Sequence, residues 1–183
     1  MINTKLRILL VEDVKTDADL IIFQLKKNVK DFEIKVVDNL DDISFLLHNY
    51  IPDVVLSDYN LPTCTGLDVL SLTQEMDDQI PLIFITGTIN DEELAANTIL
   101  SGASGYILKK HMNNLAEKLE PLLKRVVFEM IEKEELREKI RKNKIAVNQI
   151  YNYLDHMKYD NEEQQKNISK IKKNIEKIDF NND

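Results

Sequence analysis

Glu12 and Asp13, Asp58, Thr86 and Lys109 each stand at the end of a short apolar run. Three carboxylates, a hydroxyl and an ammonium are the groups that phosphoryl chemistry needs. Carboxylates drawn together repel: a pair ~4 Å apart costs about 1 kcal/mol at the dielectric of water and several at protein values. A divalent cation removes that cost. Mg²⁺ suits such a site, because it takes oxygen ligands in an octahedron and keeps several waters. Asp58 beside the cation can then act as a nucleophile toward phosphorus. Transfer of this kind depends on positioning and charge neutralisation. The metal would draw charge from one phosphoryl oxygen, Lys109 from a second, and the Thr86 hydroxyl could hydrogen-bond a third. Taken singly, each residue reads as a turn former, a helix cap or a surface lysine. Their joint occurrence in this order argues for a site.

A scaffold must bring these ends to one edge. Leu6–Val11 is a nearly continuous apolar run, the pattern of a strand buried on both faces. Phe32–Val37, Val54–Ser57, Ile80–Ile85 and Tyr106–Leu108 read as four more strands. Pro81 is tolerated only at a strand start or an edge. Helical patterns alternate with the strands. Thr16 or Asp17 can cap the first, with Leu20, Ile21, Phe23 and Leu25 turned inward. Asp38 or Asn39 can cap the second, a short helix with Ile43, Phe45, Leu46 and Leu47. Gly66 opens the third, Asn90 or Asp91 caps the fourth, and the fifth starts near Asn113. This alternation demands parallel strands joined by right-handed crossovers. The fold class is therefore α/β, a doubly wound five-stranded parallel sheet with helices on both faces. Ligands of such sheets lie outside the carboxyl ends of the strands, where the five polar residues fall.

The 183 residues are 43% hydrophobic and 31% charged, enough for one ordinary domain and something extra. The one cysteine, Cys64, excludes an internal disulfide and reads as a plain loop thiol in a reducing compartment. The apolar run after Lys5 and Arg7 is too short for a signal peptide, and no stretch approaches the ~18 apolar residues of a membrane span. A cytoplasmic protein without a membrane partner is expected. The net charge is −8, but residues 1–112 hold 9 Lys+Arg against 18 Asp+Glu, and residues 113–183 hold 15 against 14. Neither part has the basic excess of nucleic-acid binders, so no nucleic acid is expected as partner. All four glycines precede residue 106, and the last proline is Pro121. That shift in composition divides the chain into residues 1–125, the sheet domain, and 126–183, a helical extension.

Leu-Leu-Val-Glu12-Asp13, Leu-Ser-Asp58-Tyr-Asn-Leu-Pro with Gly66 following, Phe-Ile-Thr86-Gly, and Gly102-Ala-Ser-Gly-Tyr106-Ile-Leu-Lys109 resemble the receiver domains of two-component response regulators. The resemblance covers about residues 5–125. It implies a flavodoxin-like strand order and phosphorylation of Asp58 by a histidine kinase or phosphotransfer protein. It implies Mg²⁺ held by Glu12, Asp13 and Asp58, with the main-chain carbonyl of Asn60 as a further ligand. Such a domain catalyses only its own phosphorylation and dephosphorylation, so no enzyme acting on other substrates is expected. The resemblance also implies a switch. The aromatic at Tyr106 turns inward when Thr86 engages the phosphoryl group, and the face of the fourth helix, fifth strand and fifth helix carries the signal. One departure stands out: Lys110 follows Lys109 where the family usually has proline, often after a cis bond. A cis bond before a non-proline costs ~2.5–4 kcal/mol, so a trans bond is expected.

From Leu136 to Ile178, positions spaced alternately by four and three are apolar except at Asn143, Asn161 and Gln164. That pattern argues a coiled coil, with Asn161 at an a position where it can fix register. One reading is a long helix that continues from the fifth and forms a homodimer. In a parallel dimer Lys139 and Lys144 would face each other, so orientation is poorly specified. The other reading takes Asp160-Asn-Glu-Glu163 as a capping-box-like start, with the helix breaking near Tyr159 and folding back as a hairpin. A stutter is expected above Leu136. His156 falls at an exposed c position but lacks the acidic neighbour and downstream proline of phosphoaccepting kinase helices. His48 and His111 lie apart and suggest no metal cluster. Two alternatives remain beside the receiver: a non-switching coiled-coil adaptor built on this fold, and the front of a longer signalling enzyme.

Overall fold

Leu6–Val11 (β1) sends Leu6, Ile8 and Leu10 into one apolar cluster and Leu9 and Val11 into another. Alternate side chains of a strand point to opposite faces, so a strand apolar throughout needs cover on both. The structure, a computed structural model, describes residues 1–87, 92–131, 134–156 and 162–175. β1, β2 (Phe32–Val37), β3 (Val54–Ser57), β4 (Leu82–Thr86) and β5 (Gly105–Leu108) form one sheet in the order β2-β1-β3-β4-β5. Every pairing is parallel. α1 (Lys15–Asn28) and α5 (Leu115–Ile131) cover the first face, through Ile21 and Leu25 of α1 and Leu115, Leu119 and Leu123 of α5. α2 (Leu40–Asn49) and α3 (Gly66–Met76) cover the second, through Ile43, Leu47, Val69 and Leu70. α4 (Glu92–Leu100) completes the alternation.

The local signals were mostly sound, and the departures have reasons. Asn39 caps α2, accepting from the Asp42 N–H at 2.9 Å. Thr65 and Asp68 cap α3 as a reciprocal box. α1 instead begins at Lys15 behind Val14, with no side-chain cap. Asp17, one of the two residues expected to cap, instead turns to an ion pair with Lys109. β4 starts at Leu82 rather than Ile80, because Ile80 closes a turn onto the Asp77 carbonyl and Pro81 has no N–H to give a ladder. A 3₁₀ turn over Lys109–Asn114 delays α5 to Leu115. Phe23, read as inward, is 57% exposed, because it lies two residues from both Ile21 and Leu25 and so faces away from them. The cap at Asn90 or Asp91 lies outside the described residues.

Gly66 shows how tightly the second face is packed. A Cβ there would meet Phe84 Cε1 at 2.5 Å and Tyr59 Cα at 2.8 Å. Gly66→Ala should therefore destabilise by about 1–3 kcal/mol through overpacking. That outweighs the ~1 kcal/mol that alanine gains over glycine within a helix. A lowered urea midpoint at unchanged slope would bear this out, and an unchanged midpoint would refute it.

At the opposite end of the sheet, the Tyr50 hydroxyl donates to the Glu33 carbonyl at 2.8 Å, and the Arg7 guanidinium carbon lies 5.9 Å from the ring centroid. Burial, helped by the nearby Glu33 charge, pushes the phenol from 10.0 up to about 12. The folded value lies above the unfolded one. The associated stability is thus complete below pH 10 and is lost as pH rises through about 12. Tyrosinate absorbance should show one tyrosine ionising late in the folded protein. Tyr50→Phe should remove that step; its persistence would assign the late group elsewhere.

Two compact units divide the chain, residues 1–132 and 133–183. Within the second, α6 (Glu134–His156) and α7 (Glu162–Ile175) contact each other. Lys172 Nζ lies 5.3 Å from the ring centroid of Tyr151. On one continuous helix these two residues would be about 30 Å apart at 1.5 Å per residue. The tail is therefore a helical hairpin, and the long single helix is set aside. The expected break near Tyr159 and the register residues Met157, Asn161 and Ile178 lie outside the described residues. Among the described residues no helix is long and apolar enough to cross a membrane.

Candidate functional site

The strand ladders continue past their ends and carry the acidic groups with them. Glu12 N–H donates to the Val37 carbonyl at 2.9 Å, and Asp58 N–H to the Val11 carbonyl at 2.9 Å. Glu12 and Asp58 are thus fixed on neighbouring strands, 4% and 7% exposed. Asp13 follows Glu12 into solvent. One carboxylate oxygen from each of Glu12, Asp13 and Asp58 lies within 4.8 Å of the others.

Lys109 joins this cluster from the end of β5. Its Nζ donates to Asp58 Oδ2 at 2.7 Å and to Glu12 Oε1 at 3.0 Å. Asp58 Oδ1 accepts from the main-chain N–H of Tyr59 at 2.6 Å and of Asn60 at 3.3 Å. The bond between Lys109 and Lys110 is trans, as the absence of proline requires. Lys109 reaches the carboxylates all the same.

One member of the site was not legible beforehand. Asp17 of α1 pairs with Lys109 at 2.7 Å. It lies in the first turn of α1, and its sequence signal was only that of a helix-start aspartate.

The electrostatics are strained. Burial pushes the Glu12 carboxyl up, and the hydrogen bond from Lys109 only partly offsets it. Burial alone would lower Lys109, but hydrogen bonds to Asp17, Asp58 and Glu12 outweigh it and hold the ammonium well above the usual lysine range. Glu12 Oε2 is buried and accepts no hydrogen bond from the described residues, although Lys109 Nζ is 2.9 Å away. Three carboxylates beside one ammonium, with an oxygen of each within 4.8 Å of the others, form an oxygen donor set that fits a hard divalent cation.

Thr86 ends β4, fully buried. Tyr106 pairs with Phe84 in the β4–β5 register, and Thr86 with Leu108. Phe84 and Thr86 are two apart, so Thr86, Phe84 and Tyr106 share a face. Tyr106 packs half-buried on the second cluster with its hydroxyl oxygen covered. Asn60 stands in the turn after Asp58, bridged to Thr65. Glu12, Asp13, Asp58, Asn60, Thr86 and Lys109 thus fall along the carboxyl edge of the sheet, and Tyr106 lies within β5, two residues back from that edge. His48 lies on α2, and His111 in the turn after β5.

Residues 8–120 match the family model described as the response regulator receiver domain. The uncharacterized transcriptional regulatory protein YvcP of Bacillus subtilis is 33% identical over 124 residues, which span 67% of this chain and 51% of YvcP. The chain therefore covers about half the length of that relative. Among solved structures, the signal receiver domain of a LuxO repressor protein from Vibrio parahaemolyticus matches with a TM-score of 0.62 at 27% identity, over 71% of this chain and 98% of that one. The Mn²⁺-bound form of response regulator Rcp1 matches with a TM-score of 0.54 at 29% identity, over 63% of this chain and 91% of that one.

Proposed function

The chain belongs to the response regulator receiver family, and from that premise we propose that Asp58 accepts a phosphoryl group from a histidine kinase or phosphotransfer protein. The observation that carries this reading is the single ammonium of Lys109, hydrogen-bonded to both Asp58 and Glu12 at the strand ends. An Asp58 oxygen attacks phosphorus as the bond from phosphorus to the donor imidazole nitrogen breaks. The electron pair goes to that nitrogen, which takes up a proton, and an acyl phosphate forms on Asp58. Glu12, Asp13, Asp58 and the Asn60 carbonyl would hold Mg²⁺, which neutralises phosphoryl charge when bound. Lys109 neutralises a second phosphoryl oxygen, and the Tyr59 and Asn60 amides keep the carboxylate oriented. The Thr86 hydroxyl hydrogen-bonds a third oxygen. Its movement toward the phosphoryl group frees space on the face it shares with Tyr106, and the α4, β5 and α5 surface reads out the change. The helical tail is the docking element.

Intact mass after incubation with Mg²⁺ and acetyl phosphate tests the reading. A gain of one phosphoryl group that requires Mg²⁺ supports it. No gain, together with no Mg²⁺ binding by calorimetry, overturns it.

A further inference from the structure

β2 forms one edge of the sheet, and among the described residues no strand pairs with its outer side. The Asp31 carbonyl accepts from the Leu6 N–H and the Val37 carbonyl from the Glu12 N–H, so alternate residues from Asp31 to Val37 turn their main-chain groups toward β1. The N–H and C=O groups of Phe32, Ile34 and Val36 therefore point outward from the edge. β2 holds no glycine or proline, and its register with β1 runs without a bulge. An edge of this kind is a template for another strand.

Its side chains say which strand. Phe32 and Ile34 pack half-buried on the first cluster, and Val36, on the same face, is 44% exposed. Glu33 and Lys35 are exposed on the other face. A second β2 laid antiparallel across the edge, about a two-fold axis at Ile34, sets Phe32 opposite Val36, Glu33 opposite Lys35, and Ile34 opposite itself. The outward groups of Phe32, Ile34 and Val36 then meet as hydrogen-bonded pairs. Glu33 and Lys35 form the non-hydrogen-bonded pairs, whose side chains come closest. Aromatic with β-branched and acid with base are both favourable cross-strand pairs. The two-fold axis supplies each of them twice. Val36 of the second copy adds apolar cover beside a hollow lined by Ile22, Phe32 and Ile34.

The remaining charges on that face do not oppose this register. Asp31 lies on the diagonal from Lys35 of the second copy and adds attraction. The two Lys35 residues also lie on a diagonal, farther apart than the direct pairs. Lys5 and Arg7 stand on the β1 side of Glu33, with Lys5 Nζ 2.6 Å from Glu33 Oε1. An axis at Glu33 would set that carboxylate against itself, and an axis at Lys35 would set ammonium against ammonium.

We propose that β2 pairs antiparallel with β2 of a second copy of this chain, joining two sheets about an axis at Ile34. The proposal stands apart from both the phosphoacceptor chemistry and the tail.

Cross-linking of the full chain tests it. Two variants, Glu33→Cys and Lys35→Cys, each carry Cys64→Ser, so that each has one thiol. The Cα atoms of a non-hydrogen-bonded pair lie ~4.5 Å apart, within the span of about 4.4–6.8 Å that a disulfide bridges. Under mild oxidation the mixed variants should cross-link readily. Either alone should cross-link poorly, because like positions lie ~7–8 Å apart on the diagonal. In sedimentation, Glu33→Lys should weaken self-association about tenfold, since each copy then faces like charge twice, and Lys35→Glu should do the same. Both changes in one chain should restore it, which a misfolded strand would not allow. Cross-linking no better in the mixture than in the separate variants, a monomer at every concentration, or indifference to the single reversals would overturn the proposal.

Discussion

Asp58→Asn should show no phosphoryl gain under conditions in which the wild type gains one. The substitution keeps the shape of the side chain. It also keeps an oxygen able to accept from the Tyr59 and Asn60 amides, which lie 2.6 and 3.3 Å from Oδ1. It removes the nucleophile, because a neutral amide oxygen attacks phosphorus poorly. Stability should change little or rise. Lys109 retains Glu12 and Asp17 as ion-pair partners. One carboxylate fewer relieves a repulsion of about 1 kcal/mol or more for a pair ~4 Å apart. Loss of label with unchanged urea unfolding assigns the chemistry to Asp58. A label that persists in the variant would place the acceptor on another residue.

Phe84→Ala should have the largest effect on stability. Phe84 is fully buried on β4 in the centre of the second cluster. Its ring meets Tyr59 edge-on, with centroids 5.8 Å apart. It also fills the space that a Cβ at Gly66 would claim. Replacing a buried phenylalanine by alanine costs about 3–5 kcal/mol, from lost transfer and the cavity left behind. A domain holds only ~5–15 kcal/mol in all, so the variant should unfold at far lower urea. Phe84→Leu, which keeps most of the volume, should cost less than about 1.5 kcal/mol. A Phe84→Ala loss below 1 kcal/mol would mean that the cluster collapses around the gap. Tyr59 adjoins Asp58, so slower labelling of the folded variant is expected as well.

The site was readable because this fold separates its functions along each strand. A strand covered on both faces must be apolar throughout, so the first carboxylate after Val11 or Ser57 announces the strand end. In a parallel sheet all such ends meet on one edge. Glu12, Asp13, Asp58, Thr86 and Lys109 could therefore be placed before any contact was known. Asp17 could not, because a helix-start aspartate has the same sequence signature whether it caps its own helix or pairs across the edge with Lys109.

The amino-acid order by itself determined the five strands to within two residues, their parallel pairing and the acidic edge, since alternation with helices calls for right-handed crossovers that bring the strand ends together. Phe23 stands two residues from both Ile21 and Leu25, and Phe45 two from both Ile43 and Leu47, about 200° round the helix from each, so their exposure follows from the period as well. Only the tertiary structure decided the course of the tail. The four-and-three spacing requires that a stripe be covered by another helix, but it carries no information on whose. The contact of Lys172 with Tyr151 shows that α7 returns along α6. Periodicity records the face a helix must bury; the partner is chosen by what the turns and charges bring within reach.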